Sequence, residues 1–242
     1  IFHLHQRCMS NNLWNKRHGE LDKIEKGDVR KTFLELKRSA GFDVVNELTY
    51  EALYEQYVET KRNLNKGRQE GIQSVYEVGC GAGANLFLFE SENIQTGGID
   101  YSEGLLDTAK EVLKTEDLTC GDAVYMNAAP KYDSCFSNSV FSDFTDEEYA
   151  LQVLAKMYEK ADYSIGILDI HDIQKQEDFI KYREAIMPDY HERYKNLPKL
   201  FYGREFFEKF AADHDMDIVF RESTMKGYWN NQFVFHCYMY KK

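Results

Sequence analysis

The chain has 242 residues, 43% of them hydrophobic, and a formal net charge of −11. That length suits one α/β domain with additions, and the apolar fraction is enough to fill its core. No cluster of Lys and Arg offers a duplex-binding face, which argues against a nucleic-acid partner; no run reaches the length of a membrane span and no signal peptide stands out.

Five cysteines, Cys8, Cys80, Cys120, Cys135 and Cys237, form no Cys-x-x-Cys pair and are odd in number. That excludes a disulfide framework or a zinc knot and predicts a reducing, cytoplasmic setting. No metal site is expected, and His3-Leu-His5 reads as a ragged terminus rather than a ligand pair. The chain begins at Ile1 rather than Met, so it is expected to be a fragment of a longer polypeptide.

In chain order, the segment up to about residue 45 is polar, with a helix expected at Lys31–Lys37 and a break at Gly41-Phe42-Asp43. A second helix is expected from about Thr49 to Leu64, with Leu53, Tyr54, Tyr57 and Val58 on one face. A strand around Val75–Val78 runs into a glycine loop and then a helix from Leu86 to Glu90. Gly97–Asp100 reads as a second strand. Ser102 can cap the next helix, whose apolar face is Leu105, Leu106, Ala109, Val112 and Leu113. Leu118–Cys120 and Asp133–Val140 follow as strands. Thr145-x-x-Glu148 reads as a capping box for a helix carrying Ala150, Leu154 and Met157 inward. Tyr163–Ile170 is a fifth strand, residues 171 to about 202 are charged and aromatic, Arg204–Ala212 is a helix, and Ile218–Arg221 and Phe233–Tyr240 are two last strands.

The most specific stretch is Val75-Tyr-Glu77-Val-Gly79-Cys80-Gly81-Ala-Gly83-Ala-Asn85. An apolar run carrying an acid, then glycines at alternate positions, then a helix start, suits a ligand lying against bare backbone and unpaired N–H groups. A ligand with an amino group, a ribose and a positive centre fits the acid better than a pyrophosphate does. The acid-x-Gly-x-Gly-x-Gly order resembles the first motif of the class I S-adenosylmethionine (SAM)-dependent methyltransferases. Gly79, Gly81 and Ala84 also satisfy the dinucleotide fingerprint, so an NAD-dependent oxidoreductase is the rival. Glu77 in a strand position that is apolar in the NAD version, the added Gly83, and Gly121-Asp122 downstream favour SAM. A SAM-binding module without catalysis is a second rival.

The resemblance implies a Rossmann-like, doubly wound α/β fold with a mostly parallel seven-stranded sheet. An antiparallel C-terminal strand pair and an N-terminal helical cap complete it. It divides the chain into a cap at 1–66 and a SAM-binding domain at 67–242 with a substrate lid inserted at about 171–202. It implies that Glu77 and the loop Gly79-Cys80-Gly81-Ala-Gly83 hold the methionine end. Asp100, 21 positions after Gly79, would accept the ribose hydroxyls. Asp122 would accept the adenine amino group, with Ala123 beside the ring and Tyr101 on its face; the alternatives are a capped turn for Asp122 and core packing for Tyr101. Asn138 ends the fourth strand at the crevice. Cys80 itself reads as a small packing residue.

Methyl transfer from SAM to a small-molecule acceptor, at oxygen, leaving S-adenosylhomocysteine (SAH), is the expected activity. His171, after the fifth strand, is the candidate base; in an extended segment Asp169 would share its face, and a histidine that only hydrogen-bonds at the sheet edge is the alternative. Ser137-Asn138-Ser139-Val140-Phe141 lacks the Asn/Asp-Pro-Pro-Tyr of adenine and glutamine methylases. Lys160-Ala-Asp-Tyr163 replaces the family's usual Gly-Gly. Gly227-Tyr228-Trp229-Asn230-Asn231, with Tyr182, Tyr190, His191, Tyr194 and Tyr202, reads either as an acceptor lid or as a solvent-facing loop.

Overall fold

Parallel strands buried on both faces need continuous apolar runs, and the fifth strand of this chain, SIGILDIH, is such a run. The computed structural model describes residues 17–20, 24–25, 27–42, 48–195 and 199–242; His3 and His5 lie outside them. The strands are β1 (Ser74–Val78), β2 (Gln95–Asp100), β3 (Leu118–Cys120), β4 (Tyr132–Asn138), β5 (Ala161–His171), β6 (Met216–Glu222) and β7 (Val234–Lys241). They form one sheet in the order β3-β2-β1-β4-β5-β7-β6. β1 to β5 are parallel, and β7 runs antiparallel to both β5 and β6. The chain winds outward from β1 to β3 and returns to β4 on the other side, so the switch point lies between β1 and β4. Open α/β sheets bind ligands beyond the strand ends at that place.

The helices are α1 (Val29–Ser39), α2 (Tyr50–Leu64), α3 (Ala84–Ser91), α4 (Glu103–Val112), α5 (Glu147–Lys160), α6 (Gln176–Ile186), α7 (Tyr190–Arg193) and α8 (Arg204–Asp213). One core joins α1 to α4 to the sheet through Phe33, Leu36, Leu53, Leu64, Leu86 and Phe89. The second lies on the opposite face, under α5 and α8, around Val153, Leu154, Met157, Phe207 and Phe210.

Three local expectations change. Tyr54 and Val58 of α2 are exposed, and Ala52, Leu53, Tyr57 and Leu64 form its buried face. α5 is capped by Asp146, which accepts from Tyr149 N–H, and not by Thr145; the short carboxylate one residue on meets the first turn. Ser102 holds the N-cap place of α4 without a side-chain capping bond. Lys160 lies buried over the Tyr76 ring at 4.2 Å and donates to the Asn127 carbonyl at 3.1 Å.

α2 is tied to the sheet by polar contacts as well as by packing. The Ser164 hydroxyl donates to the Leu64 carbonyl (2.9 Å) and meets Ser134 Oγ (2.6 Å), and the Tyr240 hydroxyl donates to the Asn63 carbonyl (2.8 Å). Ser164→Ala strands a buried carbonyl and a buried hydroxyl at once. It should lower unfolding free energy by about 1–3 kcal/mol, read as a fall in urea midpoint at unchanged slope.

Candidate active site

β1 ends in a turn that folds back on its neighbours. A Cβ on Gly79 (φ +75°) would lie 2.3 Å from Val140 Cγ2, and one on Gly83 (φ +80°) 2.7 Å from Leu113 Cδ1. These two glycines are therefore required by the protein's own packing. Cys80 packs on Gly98 of β2, where an added Cβ would meet its Sγ at 2.8 Å. Gly81 is different: its nearest neighbours, Ala40 and Leu105, leave ordinary contact distances of 3.6 and 3.7 Å. The end of α1 thus lies over the middle of the loop.

Glu77 is buried in β1, between β2 and β4. Its Oε1 accepts from the Asn85 amide (2.6 Å), and its Oε2 has no hydrogen-bond partner among the described residues. On the other side of the same amide, Lys37 of α1 donates to Asn85 Oδ1 (2.8 Å). Burial pushes Glu77 up to about 8 and Lys37 down to about 8, because each is taken out of water with only a neutral amide between them.

Asp100 ends β2 and pins the loop: Oδ2 accepts from Gly81 N–H (2.7 Å) and Oδ1 from Ser102 N–H (2.8 Å). Desolvation raises its pKa, against these backbone donors. Tyr101 follows it, half-buried. Asp122 accepts from Val124 N–H (3.1 Å) and from the Tyr149 hydroxyl, capping the short turn Ala123–Tyr125. The capped-turn geometry is therefore present, with Ala123 packed against the second core. Asn138 ends β4, and its Oδ1 accepts from the Ser139 hydroxyl (3.2 Å).

Across the switch point, β5 bulges between Ile167 and Ile170, and Asp169 takes φ +61°. The alternation that would have put Asp169 and His171 on one face is broken there. A chain of side chains links them instead. Tyr228 donates to Asp169 Oδ2 (2.6 Å), Asn230 Nδ2 lies 3.3 Å from the Tyr228 hydroxyl and 3.4 Å from His171 Nε2, and Ser139 also donates to Asp169 Oδ2 (2.7 Å). Asp169 Oδ1 and His171 Nδ1 are buried without a partner among the described residues.

Residues 76–161 match a family model described as a methyltransferase domain. The fold is similar to that of solved methyltransferase structures. Magnesium protoporphyrin IX methyltransferase from Synechocystis PCC 6803 with bound SAH is 15% identical, with a TM-score of 0.60 over 83% of this chain and 88% of that one. The SAM-bound amino pentose methyltransferase from Micromonospora echinaspora is 11% identical, TM-score 0.60, over 80% and 96%. The SAH complex of an N-methyltransferase from Bradyrhizobium japonicum WM9 is 11% identical, TM-score 0.59, over 86% and 97%. No curated protein matches the chain. Residues 76–161 thus carry a methyltransferase domain, on the fold seen in SAM- and SAH-bound methyltransferases. This favours SAM over NAD as the cofactor.

Beyond that domain, Tyr182 stacks on Trp229 (5.5 Å, 8°), and Phe179 and Phe201 stand edge-on to the His171 ring at 4.9 and 5.4 Å. α6 and the β6–β7 loop thus meet around the histidine. Tyr202, by contrast, is core and donates to the Phe141 carbonyl (2.7 Å), and His191 is exposed beside Glu184. Lys37 and Asn85 are groups at the candidate site that sequence reasoning did not single out, while Tyr228 is one of the expected lid residues. The one available signal was a lysine in the apolar stripe of α1.

Burial lowers the His171 pKa to about 4. In the unfolded chain the imidazole takes a proton from about pH 6.5 downward, while the folded site refuses it until about pH 4. The His171 share of the stability should therefore fall by about 3 kcal/mol as pH drops through that window and be constant above it. His171→Gln should remove this share of the acid sensitivity, measured as the change in urea midpoint between about pH 7 and about pH 4.5.

Proposed function

We propose that this methyltransferase transfers the methyl group of SAM to a hydroxyl of a small-molecule acceptor. The observation that carries the reading is Glu77: a carboxylate buried at the end of β1, with an unpartnered oxygen beside a glycine loop. Such a group asks for a donor or a cation. The proposed cofactor residues are Glu77, Gly79, Cys80, Gly81 and Gly83 at the methionine end, and Asp100 at the ribose. Tyr101, Asp122 and Ala123 would hold the adenine, and Asn138 would close the crevice. Residues 1–66 act as the cap and 67–242 as the SAM domain, with 171–202 as the lid. The aromatic meeting of α6 with Trp229 supports that lid.

When bound, SAM supplies an electrophilic methyl on a cationic sulfur leaving group. The protein's share is placement in a dry site. His171 would take the proton of the acceptor hydroxyl as that oxygen receives the methyl group. An imidazole kept neutral by burial is ready to receive it throughout the physiological range. The neighbours' names span porphyrin, amino pentose and plantazolicin acceptors, which supports a small molecule. A net charge of −11 speaks against nucleic acid. The free Cys80, Cys120, Cys135 and Cys237 support a cytoplasmic, reducing location. No helix among the described residues is long and apolar enough to cross a membrane.

Calorimetry with SAH tests the cofactor half. Wild type should bind SAH better than its 2′,3′-dideoxy analogue by about 1.5–3 kcal/mol. Asp100→Ala should abolish that difference, while Asp107→Ala, exposed on α4, should keep it. Equal binding of both ligands by wild type would reject the ribose assignment.

A screen of small hydroxylated metabolites for the mass gain of one methylene identifies the acceptor. With it, His171→Gln should lower kcat by about 10²–10⁴. The wild-type rate should be flat from about pH 6 upward, because the imidazole titrates near 4. A wild-type rate rising through about pH 6.5 would show a different base.

A further inference from the structure

Arg183 shares one face of α6 with Phe179 and Tyr182, at the spacing that makes helix side chains neighbours. Through Phe179 that face meets the His171 ring at 4.9 Å, and through Tyr182 it stacks on Trp229. The Arg183 guanidinium lies over the rings of Trp229, Tyr190 and Tyr194, at 5.0, 5.3 and 5.4 Å. Rings attract a cation through their faces, but they leave the N–H donors along its edge unmet. Arg183 Nε is buried without a hydrogen-bond partner, and no carboxylate pairs with the guanidinium among the described residues. Other cations of the same stretch are paired, Arg193 with Asp189 and Lys199 with Asp143.

Asn230, next to Trp229 in the chain and 3% exposed, has the opposite need. Its Nδ2 lies 3.4 Å from His171 Nε2, while its Oδ1 is buried and accepts from nothing among the described residues; Asp169 Oδ1 is in the same condition. Leaving a buried polar group unmet is costly. A cationic donor edge and two acceptor oxygens, all unmet around one histidine, call for a ligand that supplies an anion and hydroxyls together.

We propose that the methyl acceptor is a hydroxy acid whose carboxylate is held by Arg183 and whose hydroxyls donate to Asn230 Oδ1 and Asp169 Oδ1. This rests on the reading that a hydroxyl near His171 receives the methyl group, and it names the class of molecule that carries that hydroxyl. One unpaired guanidinium supplies a single charge and a planar fork, which match a planar monoanion. A phosphate dianion would leave one of its charges unanswered in a chain of net charge −11. The carboxylate keeps its charge throughout, and the hydroxyl alone exchanges its proton for a methyl. The opposing role for Arg183 is a clamp that only binds α6 to the aromatic rings.

Matched pairs separate charge from shape. Glucuronate with glucuronamide, and salicylate with salicylamide, carry the same hydroxyls and differ in the acid. Each is offered with SAM, kcat/KM is read from SAH formed, and mild alkali, which cleaves a methyl ester and spares an ether, locates the methyl. In at least one pair the acid should exceed its amide by about ten- to hundredfold and give the ether. Arg183→Gln should collapse that acid-to-amide ratio to about two or less, and Arg183→Lys should keep part of it. Glucose-6-phosphate should be no better than glucuronamide.

Amides used as well as their acids overturn the proposal without recourse to any variant, and so does a preference for the phosphate. A ratio that survives Arg183→Gln, even if both rates fall, makes Arg183 the clamp. Ether formed on acids and amides alike leaves the hydroxyl reading standing and removes only Arg183. An ester product removes both. No product from any of the four removes the hydroxy-acid class, while the wider screen of neutral hydroxyl compounds still decides the hydroxyl reading.

Discussion

A carboxylate in an inner strand of a sheet has no water to turn to. Glu77 is flanked by β2 and β4 and buried in β1, so its charge must be met by neighbours or suppressed. Asn85, on the first turn of α3, meets one oxygen, and Lys37 lies behind that amide. The helix that begins right after the glycine loop is thus pinned to the strand that ends right before it. α1, distant in sequence, is drawn in by the same charge. Removing Lys37 from water is repaid only if α1 docks, which couples the N-terminal helix to the state of the cofactor site.

The glycine loop obeys a second constraint, and most of it is internal. Val140 and Leu113 crowd Gly79 and Gly83, so these residues would be needed even with no ligand present. Only Gly81, tied to Asp100 and covered by Ala40, has the ordinary spacing of a position where a layer can slide. A sequence motif that looks like a ligand signature is therefore partly a packing signature. That is why the same glycines can serve two cofactors, and why Glu77 rather than the glycines decides between them.

The fold was largely legible because its rules are local. β3 falls at Leu118–Cys120 as expected. The other strands lie within a few residues of their apolar runs. Periodicity 3.6 also located α4 by Leu105, Leu106, Ala109 and Leu113. It failed for Tyr54 and Val58, since aromatic and β-branched residues on an outer helix need not face inward. The position of Asp100 was legible because it ends β2, whereas Asp122 lies two residues past β3 and caps a turn. Lys37 was not legible: nothing in one sequence says that a lysine 40 residues before Glu77 will be buried against it. The aromatic stretch of the proposed lid was legible as composition and illegible as geometry: Tyr202 lies in the core and His191 faces solvent.

Two non-glycine residues sit in the left-handed region at the crevice, Ser139 (φ +60°) after β4 and Asp169 (φ +61°) within β5. Each such residue costs on the order of 1–3 kcal/mol and persists only where its surroundings over-determine it. Here they hold each other: Ser139 donates to the Asp169 carboxylate and takes the Leu168 carbonyl through its N–H, while His236 Nδ1 accepts from Asp169 N–H. The strain turns the Asp169 side chain toward Tyr228 and into the field of Lys37. Lys37 therefore faces a carboxylate on each side of the switch point. The proposed cofactor half, at Glu77, and the proposed acceptor half, at Asp169 and His171, are parts of one electrostatic unit. A positive charge arriving in one half changes the field in the other, and a sulfonium that loses its charge on methyl transfer is such a change. This continuity follows from three buried groups and one amide, and it gives the two strained residues a physical reason to lie where they do.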